Sequence, residues 1–508
     1  MGKNPKILLI YPPNQLLPIE TPRPDGSLGL LYLAAAMENA GFEADILDAS
    51  VGAESDDLRD TFYNSIVLPS GLIRIGMSVE RIKEFIVKGN YNVVGINSNF
   101  TSQTRMALEV AKAAKSVNQN ILVIAGGVNA RALPERFLDS GYIDVVCLSE
   151  GEKIIVRLVD QWIKGDGFGG LSGIMFKKGD GYEKIPLAPN DLVINLDQLP
   201  FPAWHKLPFN HYDKIASPHG VIHGAGIRYA PLMTSRGCPF QCLYCHISTE
   251  KEGGFGGIGT FRTKSVERVL REINILQSLG VKKIYFEDDS LLAKKSRAKT
   301  IFKQIIGRGM EIADVNGVNL INFRTKDKNK KWAIDDELME LLKLAGFNQI
   351  VFPVESGSQR ILDKYATSKL NLSFLNVVEL VRAAVKIGII CPINIMIGFP
   401  DETEEEMRLS INLGKKLVDA GAAYCTFFIP IPFPGSRLFE TAIAEGYLDW
   451  DFDPDMMNWK NVIMKKTKVP PERIMELRDA AWREVNTAEH VATRLKQSIG
   501  SRWRGNAN

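Results

Sequence analysis

Two long stretches of this chain repeat one pattern, an apolar run of strand length followed by a segment of helical periodicity. That alternation forces parallel strands, because a helix between two strands carries the second back alongside the first. Within residues 1–160 the strand-length runs are 6–11, 44–48, 93–97, 121–125 and 143–148, and amphipathic segments such as 28–40 and 103–117 lie between them. In the latter, Met106, Val110 and Ala114 share a side. From 227 to 440 six further runs recur, at 231–235, 283–286, 318–323, 349–354, 392–397 and 425–429. The helix after the fifth is opened by the capping box Thr403-Glu404-Glu405-Glu406. The expected fold is therefore α/β throughout: a doubly wound, Rossmann-like sheet, then a partial (β/α)6 barrel of TIM type. Residues 161–226 read as a linker with a hairpin around Gly179-Asp180-Gly181 and a Pro-rich strap, and 441–508 as a helical extension in which Pro470-Pro471 opens a helix.

Charge excludes some functions. Lys and Arg number 62 against 59 Asp and Glu, a net +3 in 508 residues, which argues neither for a nucleic-acid groove nor for an acidic tail. Ile7 to Tyr11 is too short for a signal-peptide core, and no run of about 18 apolar residues exists. The expectation is a cytoplasmic protein without a transmembrane segment, with peripheral membrane contact left open.

Cys238, Cys242 and Cys245 place three thiols in one loop just after the first barrel run. Structural zinc closes with four ligands and iron-sulfur clusters are usually held by four thiolates, so three suggest an open coordination position. His246 makes a Cys3His zinc knuckle the competing reading, but it abuts Cys245, and no second Cys-x-x-Cys pair follows. Six cysteines in so long a chain, three of them in one cluster, fit a reducing compartment better than a disulfide framework.

The spacing Cys-x-x-x-Cys-x-aromatic-Cys, with Tyr244 before the last cysteine, resembles the signature of the radical S-adenosylmethionine (SAM) enzymes. In that family three thiolates hold a [4Fe-4S] cluster, SAM chelates the fourth iron, and one electron splits the sulfonium to a 5′-deoxyadenosyl radical. The resemblance implies SAM-binding roles for Phe240 and Tyr244, for Glu355, Ser356 and Gly357 after the fourth run, and for Gly398 in Gly398-Phe399-Pro400 after the fifth. Glu355 suits the ligand's hydroxyls or ammonium as an acceptor. Asp288, Asp289, Arg324 and Tyr424, near other strand ends, are candidate substrate contacts.

Ligands of doubly wound sheets sit beyond the carboxyl ends of the strands. This singles out Pro12-Pro13-Asn14, the loop 98–102, Gly126-Gly127-Val128-Asn129 and Glu150-Gly151-Glu152. On the residues alone Gly126-Gly127 can equally be a tight turn, and there is no G-x-G-x-x-G. Together with Gly29-Leu30-Leu31-Tyr32-Leu33-Ala34 and Leu133-Pro134-Glu135, these loops resemble the N-terminal cobalamin-binding domain fused to many radical enzymes, over most of 6–160. The resemblance implies cobalamin contacts at Pro13, Asn99, Thr101, Ser102, Gly126, Gly127, Asn129, Glu150 and Gly151. The Asp-x-His-x-x-Gly motif is absent and Asn129 stands where many relatives carry His, so the lower face of cobalt has no assigned ligand.

Other segments carry looser expectations. Residues 51–80 read as an insertion serving as lid or substrate element, and the glycine-rich run 253–259 as a flexible lid beside the cluster. His205, His211, His219 and His223 read as surface or substrate-contacting groups, Cys391 and Cys425 as buried thiols, and Trp459, Trp482 and Trp503 as anchors of the C-terminal piece. The function implied by resemblance is cobalamin-dependent radical SAM methylation of an unactivated carbon in a small molecule or lipid, by way of methylcobalamin, with electrons from an external one-electron reductant of flavodoxin or ferredoxin type. Rearrangement, cyclisation or ring contraction without net methyl transfer, and a non-enzymatic cobalamin or iron-sulfur sensor, are the alternatives.

Overall fold

The computed structural model describes residues 5–490 except 21, 23, 25, 216–225, 253–255 and 368. Lys6–Tyr11 lies between Glu43–Asp48 and Val93–Asn97, and Leu122–Gly126 and Val145–Cys147 follow, all in parallel register. Ile7, Leu8, Leu9 and Ile10 are fully buried, as an unbroken apolar run must be when helices cover both faces. The strand order reverses beside Lys6–Tyr11, so the crevice for a ligand opens at the carboxyl ends of this strand and Val93–Asn97.

The hairpin placed by sequence in the linker forms as Ile174–Lys178 and Gly181–Ile185, but it adds antiparallel to Val145–Cys147 and extends the sheet to seven strands. Without it the Val145–Cys147 backbone would present an open edge. The insertion is no free lid either. Its strand Ile73–Ile75 pairs antiparallel with Asn14–Leu16 on one side and with Ser65–Val67 on the other, and Val51, Leu58, Phe62, Ile73 and Ile75 join the apolar core shared with the barrel.

Six parallel strand positions make the barrel: Tyr229–Leu232, Lys283–Phe286, Glu311–Asp314, a broken fourth formed by Phe347–Ile350 and Phe352–Glu355, then Pro392–Met396 and Tyr424–Phe428. The fourth breaks at Val351, its first part pairing with the third strand and its second with the fifth. The third strand corrects the expectation at 318–323, where the chain instead closes a 3-10 turn, Leu320–Phe323. Val318, Leu320 and Phe323 are apolar because they are buried, whereas Glu311–Asp314 carries an acid at each end and hides its strand character.

The helix Pro471–Val485 packs on the last strand, and Asn486 behind it closes the barrel's free edge. The Asn486 side chain accepts from Cys425 N at 2.9 Å and donates to Cys425 O at 2.8 Å, as a neighbouring strand would. Trp459 donates to Glu20 while Trp482 stays partly exposed; Trp503 lies outside the described residues. His211 is not a surface group: it is buried against the Val51 carbonyl, while His205 is exposed near Glu38 and His219 and His223 fall outside the described residues. Among the described residues no helix is long and apolar enough to cross a membrane.

Candidate active site

The cysteine loop leaves the first barrel strand through Ser235–Arg236 and is tied down from below. Asp288, fully buried at the end of the second strand, accepts from Thr234 N at 3.0 Å, Thr234 Oγ1 at 2.7 Å and Ser235 Oγ at 2.5 Å. Asp289 accepts from Gly237 N at 2.8 Å. Burial pushes the pKa of both carboxyls up against these bonds. Read as substrate contacts, both are instead anchors of the loop. Gly237 has φ +75°, and a Cβ there would stand 2.5 Å from the carbonyl oxygens of Gly259 and Thr260, so only glycine fits. Residues 256–259, expected as part of a lid, brace the loop: Cys238 N donates to Gly259 O, and Ile258 is buried. Residues 253–255 lie outside the described set.

On the loop's other flank Leu243 N donates to Tyr365 O and Leu438 N to Leu243 O, while the Cys242 thiol reaches Ala366 O at 3.4 Å. Burial raises the pKa of Cys242 and takes that of Cys245 to about 12, so both need a positive centre to ionise. Two ammonium groups stand close: Lys369 Nζ on Glu355 Oε1 at 2.5 Å, and Lys251 Nζ on the Phe240 carbonyl. Burial opposes the Lys369 charge, but Glu355, Cys242 and Cys245 outweigh it and raise its pKa. Neither lysine carries a motif, which is why sequence reading passed over them. His246 turns to Glu250, its Nδ1 2.9 Å from Oε1, and among the described residues no three His, Cys, Asp or Glu side chains converge on one ion. His246 Nδ1 is thus engaged by Glu250 rather than offered to the cysteine loop as a fourth ligand.

Glu355 ends the fourth strand at φ +66°, a left-handed conformation unusual for a side-chain-bearing residue and one that marks functional sites. Nearby, Tyr244 Oη is buried with no hydrogen-bond partner among the described residues, and Tyr365 stacks on Phe399 at 4.1 Å between ring centroids. Ser356 and Gly357 face another way: Ser356 Oγ meets Ser410 Oγ at 3.1 Å and Gly357 N donates to it at 2.9 Å, docking the helix Glu404–Asp419. Gly398, φ +102°, donates its N–H to Glu402, whose pKa burial raises to about 7. Arg324, displaced by the corrected third strand, lies on a hairpin with its guanidinium 4.0 Å from the Trp332 ring centroid. Tyr424 begins the last strand and so sits at the end of the barrel opposite the cysteines. The Arg324 guanidinium is thus engaged within its own hairpin, and Tyr424 stands away from the cysteine loop.

The N-terminal edge is built from neutral groups. Gly127, φ +104°, lets the turn after Leu122–Gly126 close on Asn99; a Cβ would stand 2.5 Å from Asn99 Oδ1 and Ser98 O. Asn129 donates to Ser98 Oγ and Thr104 Oγ1, both at 2.9 Å, leaving Oδ1 buried and without a partner among the described residues. Ser149 Oγ and Gln15 Oε1 are orphaned in the same way, and sequence reading missed both. A small cleft between Tyr11, Pro12 and 97–100 marks the reversal point of the sheet. Pro13, Thr101, Ser102, Gly126 and Gly151 line or flank these turns, with Ser102 O accepting from Gln15 Nε2. Glu150 does not face the crevice's ligand side freely: its carboxylate is taken by Arg236 and Arg262 of the barrel.

Ion pairs across the junction hold the two edges face to face. Arg131, in the short helix Val128–Ala132, pairs with Glu250 behind the cysteine loop, and Arg105 pairs with Asp455 of the C-terminal extension at 2.6 Å.

Residues 26–159 match the B12 binding domain family and residues 232–414 the Radical SAM superfamily. The chain is 32% identical to the uncharacterized methyltransferase PH0819 of Pyrococcus horikoshii, over 94% of this chain and 91% of the relative. It is 28% identical to the cytidylyl-2-hydroxyethylphosphonate methyltransferase of Streptomyces wedmorensis, over 90% and 85%. Two solved structures share the fold: the cobalamin-dependent SAM radical enzyme OxsB with aqua-cobalamin bound, TM-score 0.67 at 16% identity, covering 95% of this chain and 67% of that one; and the radical SAM methyltransferase TsrM of Kitasatospora setae, TM-score 0.62 at 16% identity, covering 87% and 76%.

Proposed function

Since the chain belongs to the radical SAM enzymes that carry a B12-binding domain, we propose that it is a methyltransferase acting on a carbon atom of a small-molecule or lipid substrate. The observation that carries this reading is one chain presenting two ligand edges to each other, a neutral one with buried orphan acceptors and one with three thiols beside two ammonium groups. When bound, the [4Fe-4S] cluster delivers one electron to SAM and cobalamin carries the methyl group.

Cys238, Cys242 and Cys245 would hold the cluster. Lys369 brings a fixed positive charge that suits a carboxylate, and Glu355, turned inward by its backbone, accepts from hydroxyl or ammonium donors. Tyr244 leans toward the stacked Phe399–Tyr365 pair, and the left-handed turn at Gly398, packed on Ile474, fixes Phe399 there. On the facing edge Gln15, Asn99, Asn129 and Ser149, with the Gly126-Gly127 backbone, offer neutral polar partners for the amide-rich rim of a corrin. Burial between the two edges excludes water from the reacting centre. Electrons come from an external carrier of flavodoxin or ferredoxin class.

The test is anaerobic reconstitution with cluster and cobalamin, followed by SAM and a reductant. Retention of the corrin through gel filtration, with both S-adenosylhomocysteine and 5′-deoxyadenosine formed, supports methyl transfer. Deoxyadenosine alone, with the corrin retained, would replace it with a rearrangement, and neither product would leave a binding protein.

A further inference from the structure

The Glu150-Gly151-Glu152 turn, which resemblance places at the cobalamin, makes its strongest contacts with the barrel. Arg236 directly precedes the cysteine loop, and its Nη2 meets Glu152 Oε1 at 2.5 Å while Nη1 meets Glu150 Oε2 at 3.2 Å. Arg262, paired with Arg236 across a two-stranded ribbon, holds Glu150 through two bonds of 2.6 and 3.0 Å. All four side chains are largely buried, between 4% and 15% exposed, and the two carboxylates balance the two guanidinium groups. The Arg236 guanidinium also lies 5.0 Å from the ring centroid of Tyr32, on the first helix of the N-terminal sheet. Lys264 approaches the same ring at 5.4 Å and is itself held by Glu272. Between the two acids Gly151 permits the turn to press on that helix, since a Cβ there would stand 2.9 Å from Leu33.

We propose that Arg236 is a positioning residue: held by Glu150 and Glu152, it sets the spacing between the cysteine loop and the cobalamin-binding edge. This rests on the function proposed above. The grip acts at the root of the loop, one residue before Gly237, and at the end of the strand that leads to Ser149. A buried charge network tolerates loss of one partner poorly, because the other charge is stranded. Reductive cleavage of SAM depends on the barrel alone, whereas passage of a methyl group from SAM to cobalt depends on the distance between the two domains, where a displacement of about 1 Å can cost about a hundredfold. Loosening the grip therefore separates the two reactions.

The experiment compares Arg236→Gln, Arg236→Lys, Glu152→Gln and the double variant R236Q/E152Q with the natural chain. In apo-protein, hydrogen exchange is read at the amides of Gly237 and Cys238, which donate to Asp289 and Gly259. In reconstituted protein without substrate, S-adenosylhomocysteine from cobalamin methylation and deoxyadenosine from reductive cleavage are measured together, with the magnetic coupling between Co(II) and the reduced cluster. The expected result for Glu152→Gln is about tenfold faster exchange in a loop that it does not covalently adjoin. Methyl transfer to cobalamin falls at least tenfold, cleavage stays within about threefold, and the coupling weakens. Arg236→Lys recovers part of each, and the double variant is no worse than the poorer single one. Unchanged exchange, an equal fall in both reactions, or additive losses in the double variant would each overturn the proposal. Should the natural chain itself fail to retain cobalamin or cleave SAM, the functional reading fails first, and the apo-protein exchange still tests the grip.

Discussion

The two facing edges are made by the same βα logic and prepared for ligands in opposite ways. In the N-terminal sheet the groups around the crevice are amides, hydroxyls and glycine backbone, and its carboxylates Glu150 and Glu152 turn away into ion pairs. In the barrel the corresponding positions carry thiols, Lys369, Glu355 and the buried anchors Asp288 and Asp289. A large neutral ligand with many amide arms needs shape and unpaired acceptors, whereas a charged cluster with a zwitterionic partner needs compensating charge. The difference teaches that steric changes harm the first edge and charge changes the second.

The largest effect belongs to the thiols. Cys242→Ala should abolish the visible iron-sulfur absorbance and all SAM cleavage while the corrin is still retained; loss of corrin in the same variant would break the separation of the edges. Gly127→Ala should do the reverse. Its φ of +104° and the 2.5 Å approach to Asn99 and Ser98 make any side chain strained, so corrin retention should fall at least tenfold with an intact cluster, at a structural cost of about 1–3 kcal/mol. Lys369→Met should weaken SAM binding about tenfold, about 1.4 kcal/mol, measured by equilibrium binding to the reconstituted protein, and leave corrin retention unchanged. An unaltered affinity would show that the ammonium serves Glu355 alone.

Much of this was legible in the residues. The five N-terminal strands appeared within two residues of their positions because a buried parallel strand reads as an unbroken apolar run, and the capping box at Thr403 opens the helix Glu404–Asp419 as expected. The third barrel strand was not legible: Glu311 and Asp314 mask it, while the packed turn after it is more apolar. At the site, the cysteine spacing identifies the loop, but nothing local distinguishes Asp288 as an anchor from Asp288 as a ligand-binding acid. Its partners Thr234 and Ser235 lie 54 and 53 residues away in sequence and meet it only through strand pairing. Lys369, Lys251, Gln15 and Ser149 were invisible for the same reason, since each matters through a neighbour that the chain supplies from elsewhere.

The smallest effect sharpens the comparison through pH. Outside the thiols the barrel edge is ringed by ion pairs: Arg360 bonds Glu406 at 2.6 and 2.7 Å and Asp401 at 2.7 Å, and the Arg360 bonds, outweighing burial, take the Glu406 pKa down to about 2. A depressed carboxyl contributes stability that is fully present above its unfolded value, near 4.5, and is lost as pH falls through about 2. Arg360→Met should therefore lower the thermal midpoint most at pH 6 and progressively less toward pH 3. The loss stays below about 1 kcal/mol, because Arg360 is half exposed and its pairs are screened. Asn129→Ala, on the neutral edge, removes two hydrogen bonds worth about 1 kcal/mol each and should cost the same at both pH values. Matching pH profiles for the two variants would mean that the edges differ in composition but not in the physics that holds them.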